Sequence, residues 1–260
     1  MTIIYEPRGK AREYSALAAN LYKGCAHACG YCFAPSATFT DRETFSSDGY
    51  IRPRPGVLAQ LAKDAEKSAG HPNPVLLSFT SDVYQPVERE LGITRQALEI
   101  LSANRLRPQI LTKSGPWAIE RDADILKSCN GIWAATLTLD NPEESLKWEP
   151  GAALPAERIE ALRMAKEAGL ETWVSLEPVL DPDAAIRLIQ ATHKFVDLYK
   201  VGKLNYHPHA KTIDWTEFYL RVNAQLDLFN CRRYLKNDLI EAFRPEGRDD
   251  LVEKYGIRWA

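Results

Sequence analysis

The feature that most constrains the fold is a repeated order of short apolar strands and amphipathic helices. Apolar segments at Leu17 to Tyr22, Pro74 to Phe79, Gln109 to Thr112, Gly131 to Leu139, Glu171 to Leu176 and Val196 to Val201 have the length and character of buried strands. Helical spacing separates them: Val57, Leu58, Leu61 and Ala65, then Val87 to Asn104, Pro116 to Ser128, Ala156 to Ala168 and Pro182 to Lys194. Six such strands alternating with helices predict a parallel sheet covered on its outside by helices, with right-handed crossovers. After Lys203 the pattern changes. A turn-like link at Asn205 to His209, a helix from Trp215 to Phe229, a short strand at Arg233 to Leu235 and a helix near Asp238 to Phe243 read as an extension packed on the sheet. This divides the chain into 1–205 and 206–260.

Within that frame, three of the five cysteines, Cys25, Cys29 and Cys32, fall just after the first strand. A structural zinc site usually takes four ligands from two cysteine pairs, and no second pair exists here. Three thiolates on one tight loop suit an iron-sulfur cubane, each holding one iron and leaving a fourth open. Zinc and a metal-free thiol cluster are the other readings of the spacing. Gly24 and Gly30 let the backbone bend closely around a cluster, and Tyr31 sets a flat face beside it. The long polar connection from Phe33 to Pro55 carries Arg42, Arg52 and Arg54, residues suited either to an anionic substrate or to a solvated surface.

Composition adds limits. The 33 basic and 35 acidic residues nearly cancel, so overall charge neither announces nor excludes a nucleic acid, which needs only a local basic groove. No apolar run reaches membrane-spanning length, the first residues lack the pattern of a secretory signal, and the unevenly spaced cysteines suit a reducing compartment; together these predict a cytoplasmic protein with no membrane partner.

The C-x-x-x-C-x-x-C spacing with an aromatic before the third cysteine resembles the cluster loop of radical S-adenosylmethionine (SAM) enzymes. The resemblance implies a partial (β/α)6 barrel and a 4Fe-4S cluster on Cys25, Cys29 and Cys32. It also implies bound SAM, cleaved to methionine and a 5′-deoxyadenosyl radical that takes hydrogen from a substrate, and an external one-electron reductant such as flavodoxin or ferredoxin. In parallel barrels, chemistry gathers at the carboxyl ends of the strands. There the sequence offers Thr80-Ser81-Asp82, Lys113, Thr138, Glu177 and Lys200. With SAM as the implied ligand, Asp82 is expected to hold its ammonium and Lys113 its carboxylate, with Tyr31, Ser81, Thr138 and Glu177 as further contacts. Tyr84 is the candidate radical relay.

Thr80 to Glu88, Thr112-Lys113-Ser114 and Glu149-Pro150 followed by Arg158 resemble the spore photoproduct lyase-like branch of that family, which implies DNA as a possible substrate. One departure stands out. As we align them, spore photoproduct lyases carry a hydrogen-donating cysteine where this chain has Phe79. The expectation therefore shifts from lesion repair towards base modification or isomerisation, with a peptide or small-metabolite substrate, or a non-catalytic metal-binding module, as the rivals. Cys129 and Cys231 read as small buried residues, His207 and His209 as exposed turn residues, and Trp215, Phe218 and Tyr219 as core at helical spacing.

Overall fold

All six expected strands form, in the expected order, and each pairs with the next. The computed structural model describes residues 2–255, so the last five residues of the extension lie outside the described residues. The strands are β1 (Ile4–Tyr5), β2 (Leu17–Ala19), β3 (Tyr22–Lys23), β4 (Arg52–Pro53), β5 (Val75–Leu77), β6 (Pro108–Thr112), β7 (Ile132–Thr136), β8 (Glu171–Val179), β9 (Leu198–Lys203) and β10 (Arg233–Leu235). Eight of them make one sheet in the linear order β1-β2-β5-β6-β7-β8-β9-β10. From β2 to β10 every pairing is parallel, and β1 adds an antiparallel edge. The result is the mixed α/β, mostly parallel architecture that the alternation predicts. Among the described residues no helix is long and apolar enough to cross a membrane.

The two faces of the sheet follow from strand periodicity. One face, with Val75, Leu77, Ile110, Trp133, Ala135, Val174, Leu176 and Val201, is buried in the main core under the helices. Each such large side chain contributes about 1.5–3 kcal/mol by leaving water. The other face begins apolar with Ala18, Leu76, Ile132, Ala134 and Trp173. Two and four residues further along, the same side carries Thr136 and Thr138 on and after β7, Ser175 and Glu177 on β8, and Lys113 just beyond β6. Polar groups are thus delivered to the carboxyl ends of the strands.

Several boundaries differ from expectation for local reasons. The expected helix over 87–104 is two, Glu88–Leu91 and Ile93–Ala103, because Gly92 between them takes a left-handed φ of +58°. The connection from Phe33 to Pro55 is structured: it holds helices Ala34–Ala37 and Arg42–Phe45, the latter capped by Asp41, whose carboxylate accepts from the Thr44 amide at 2.8 Å. It then returns as β4 to pair antiparallel with β3. In the extension, β10 joins the sheet beside β9, and the 3-10 turn Gly9–Glu13 is tied to the segment that follows. Lys10 meets Asp238 at 3.0 Å, and Glu13 accepts from the Asn237 amide at 2.9 Å.

Candidate active site

The cysteine loop is pinned by its backbone from several sides. The Cys25 amide donates to the Phe45 carbonyl at 3.2 Å, Ala26 to the Gln85 side chain at 2.9 Å, and Gly30 to the Trp148 carbonyl at 2.8 Å. Arg42 fastens the far end, giving one hydrogen bond to the Cys29 carbonyl at 2.6 Å and another to that of Cys32 at 2.9 Å. Gly24 is required where it stands: its φ is +69°, and a Cβ there would come within 2.7 Å of the Phe45 carbonyl oxygen. A Cβ on Gly30 would make only ordinary contact with Trp148.

Cys29 is buried, while Cys25 and Cys32 are half-buried, and all three are free. Burial pushes the Cys25 thiol well up and that of Cys29 to about 11, the nearby Lys113 charge only partly opposing the latter. Both shifts favour the protonated thiol. Three soft thiol donors on a loop of set course fit an iron-sulfur cluster, whose positive iron would draw the thiolates and release those protons. The fit rests on donor chemistry and backbone placement, because among the described residues no three Cys, His, Asp or Glu side chains form a ready-made metal cage.

Two buried carboxylates brace this loop against the sheet. The first is Asp82. One of its oxygens accepts from the Tyr84 amide and the Thr112 hydroxyl, each at 2.8 Å; the other accepts from the Lys113 amide at 2.7 Å and lies 3.4 Å from His27 Nδ1. Burial lowers the His27 pKa, and Asp82 only partly restores it. An ionised carboxylate has about four acceptor positions, and protein hydrogen bonds take three of them here. Asp82 is thus a strut between two strand ends and the cysteine loop, and the expected grip on an ammonium does not follow from its surroundings.

The second strut is Glu149, which the strand-end reading left without a role. It is buried against Arg158 at 2.6 Å, accepts from the Tyr31 hydroxyl, and accepts from Thr138 at 2.9 Å. Burial opposes its charge, but Arg158 and Lys113 outweigh burial and hold its pKa below the usual value. Tyr31 and Thr138 therefore converge, though on Glu149. The Glu149-to-Arg158 spacing was visible in the sequence; their pairing needed the turn after Trp148 to bring them face to face.

Lys113 is different. Its ammonium lies 5.7 Å from the Tyr31 ring centre and has no hydrogen-bond acceptor among the described residues. Burial works against the charge, yet Cys29 and Glu149 nearby raise its pKa above that of an ordinary lysine. Ser81 is buried and shares hydrogen bonds with the Ser78 hydroxyl, 2.6 Å to its carbonyl and 3.1 Å to its own hydroxyl.

The remaining candidates lie apart from this group. Glu177 pairs with Lys236 at 2.8 Å and accepts from the Tyr14 hydroxyl. Tyr84 is on the helix side of the sheet, its hydroxyl donating to Asp122 at 2.9 Å between Trp117 and Trp133; as a fully packed core residue it leaves the set of catalytic candidates. Cys129 donates to the Ile125 carbonyl at a helix end before the amino end of β7, and Cys231 precedes β10. Phe79 packs edge-on against Tyr14 at 6.1 Å. His207 and His209 are half-buried against Trp148, a correction to the exposed turn expected for them, while Phe218 is core as expected.

Residues 19–196 match the model of the Radical SAM superfamily, and the chain belongs to that family. It is a radical SAM enzyme, and its family works with an iron-sulfur cluster and SAM. Among particular relatives, an uncharacterized protein of Methanocaldococcus jannaschii is 29% identical over 192 residues, 72% of this chain and 69% of its own length. One from Mycobacterium tuberculosis is 28% identical over 167 residues, 62% of this chain and only 48% of its own length, so the match spans about half of that relative. The fold is similar to that of a spore photoproduct lyase variant with bound AdoMet and dinucleoside spore photoproduct, at a TM-score of 0.66 and 16% identity over 89% of this chain and 78% of that one. It is also similar to Streptococcus suis SuiB bound to S-adenosylmethionine, at 0.61 and 14% over 92% and 54%.

Proposed function

We propose that the chain holds a 4Fe-4S cluster on Cys25, Cys29 and Cys32, grips the SAM carboxylate with Lys113, and takes hydrogen from a nucleobase carried in DNA. When bound, the cluster supplies the electron, received from an external reductant, that cleaves SAM to methionine and a 5′-deoxyadenosyl radical. The observation that carries the reading is the Lys113 ammonium, a partly enclosed cation beside the cysteine loop without an acceptor of its own. An incoming carboxylate answers that charge with a charge-assisted hydrogen bond. Asp82 serves as a positioning residue, since both of its oxygens already accept from protein groups.

The fold neighbour that carries dinucleoside spore photoproduct supports a nucleobase substrate. Phe79 and the remote Cys129 and Cys231 favour a reaction in which the substrate radical does not draw hydrogen from a protein thiol. Base modification or isomerisation meets that condition. Anaerobic incubation of reconstituted enzyme with reductant, SAM and DNA in deuterated water, followed by mass analysis of the nucleosides, tests the reading. An altered nucleoside with little solvent deuterium at the reacting position is expected. Efficient repair of spore photoproduct, or deuterium delivered through Cys129 or Cys231, would restore the repair assignment, and SAM cleavage that leaves DNA unchanged would point to a peptide or metabolite.

A further inference from the structure

The connection between the cysteine loop and β4 builds a second feature, apart from the residues assigned to SAM above. In the β3–β4 ribbon, Lys23 stands directly opposite Arg52. Opposite residues of an antiparallel pair share a face, as do residues two apart, so Lys23, Arg52 and Arg54 share one side. Like charges placed this way repel, and none of the three has a carboxylate partner among the described residues. Arg52 gives one hydrogen bond to the Gly49 carbonyl at 3.2 Å and lies over the Tyr50 ring at 5.7 Å.

Lys23 and Arg54 line a cavity of about 290 Å³ whose wall also includes Thr80, Thr38, Phe45 and Tyr50, and no acidic side chain. On two of the lining residues one polar atom each, Arg54 Nε and the Thr80 hydroxyl oxygen, is buried behind the cavity surface without a hydrogen-bond partner. A buried donor left unpaired costs about 1–3 kcal/mol. Two cations on one half-open cavity with no acidic side chain in its wall suit an oxyanion, and a guanidinium suits the oxygens of phosphate in particular. The cavity also adjoins the reaction site: Gly24 lines it, immediately before Cys25, and the Cys25 amide is bonded to Phe45 of its wall.

We infer that the cavity bounded by Lys23, Arg54 and Thr80 is a phosphate subsite, which anchors a substrate phosphate beside the cysteine loop. The phosphate belongs either to the backbone of a nucleic-acid strand or to a nucleotide. As a subsite for substrate the inference rests on the nucleobase reading above; as an anion site it rests on these residues alone.

Calorimetry on the anaerobically reconstituted protein separates the two. The ligands are inorganic phosphate, a thymidine mononucleotide, a thymidine dinucleotide with one phosphodiester, and the same dinucleotide with a neutral methylphosphonate link. The phosphodiester dinucleotide is expected to bind about tenfold tighter than its neutral analogue, the order of one charge-assisted contact. Arg54→Gln and Lys23→Gln should each erase most of that difference, while Arg54→Lys, which keeps the charge and controls for folding, should retain part of it. A mononucleotide bound as tightly as the dinucleotide, with the same loss in Arg54→Gln, assigns the site to nucleotides. If phosphate binds and Arg54→Gln abolishes it, but no dinucleotide binds, the subsite stands and the DNA reading falls. If both dinucleotides bind equally, the subsite falls and the DNA reading stands. Failure of every phosphate ligand to bind, or a difference that survives both glutamine variants, overturns the inference.

Discussion

Removing the negative half of the Glu149–Arg158 pair is the sharpest test of how the cysteine loop is held. The two groups meet at 2.6 Å with side chains 0% and 1% exposed, so Glu149→Gln leaves the Arg158 charge buried with only neutral partners. These are the Ala153 carbonyl at 2.7 Å and the Thr136 carbonyl at 3.1 Å, with Ser145 at the edge of reach. Breaking a buried pair in this one-sided way costs about 3–5 kcal/mol. At about 2–4 °C per kcal/mol for a domain near this size, the midpoint of thermal unfolding should fall by roughly 10 °C. The loop should loosen as well, because the Tyr31 hydroxyl loses its ionic acceptor next to the Gly30–Trp148 backbone bond. The assay is thermal unfolding by circular dichroism, with iron content after reconstitution, on Glu149→Gln, Arg158→Met and the double variant Glu149→Gln/Arg158→Met. Removing both charges should recover much of the loss, with a coupling of about 2–3 kcal/mol. A midpoint within about 2 °C of the parent in Glu149→Gln, or simple additivity in the double variant, would refute the reasoning.

Other outcomes follow from the same geometry. Cys29→Ala should lose the visible absorbance of the cluster and SAM cleavage together, and full iron content in that variant would remove Cys29 from the ligand set. Lys113→Met should weaken SAM binding by at least tenfold, as expected for losing one ionic hydrogen bond of about 1.5–3 kcal/mol, without lowering iron content; unchanged affinity by calorimetry would reject the assignment. Lys200 sets a pH dependence. Burial, aided by Lys236, lowers its pKa to about 8. Because that is below the unfolded value, the charged form penalises the folded state, and stability should rise as pH goes from about 8 to about 10.5 by an upper bound of roughly 3 kcal/mol. Denaturant unfolding across that range should show the rise in the parent and a flatter profile in Lys200→Met; parallel profiles would contradict it.

The sheet was legible because each of its six central strands is an apolar run flanked by helical periodicity, a signal carried by many residues at once. The two-residue strands β3 and β4 have no periodicity to detect, so the ribbon that organises residues 33–55 read as an irregular loop. At the site, the sequence showed which residues end the strands but not which donors compete for them. Asp82 looked free to take an ammonium, yet the amides of Tyr84 and Lys113 claim it, as a short carboxylate beside a turn readily allows. Tyr84, two residues after Asp82, points to the opposite side of the sheet and into the helix layer. Glu149 and Arg158 were noted as neighbours in sequence; their contact depends on how the helix Pro142–Trp148 and the turn after it fold back.

The fate of Glu177 shows how the inner face of the sheet is shared out. By register Ser175 lies beside Thr136 on one side and Lys200 on the other, and Glu177 follows two residues on, towards the carboxyl end of β8. A contact with SAM was expected there. Instead Glu177 is met by Lys236, contributed by the extension just after β10, and the absence of a side chain at Gly202 leaves room for the pair: a Cβ there would lie 2.7 Å from Glu177 and 2.9 Å from Lys236. Tyr14 fills the adjoining space, hydrogen-bonded to Ser175 at 2.9 Å, with the Lys200 ammonium donating to the Tyr14 carbonyl at 2.7 Å. An ammonium ligand would have to displace Lys236, which is 3% exposed, and leave a buried cation without its partner, at a cost of several kcal/mol. The β8–β10 side of the interior is thereby committed to anchoring the N-terminal segment. The Lys113 ammonium, without an acceptor among the described residues, lies instead beyond the end of β6, over the Tyr31 ring of the cysteine loop.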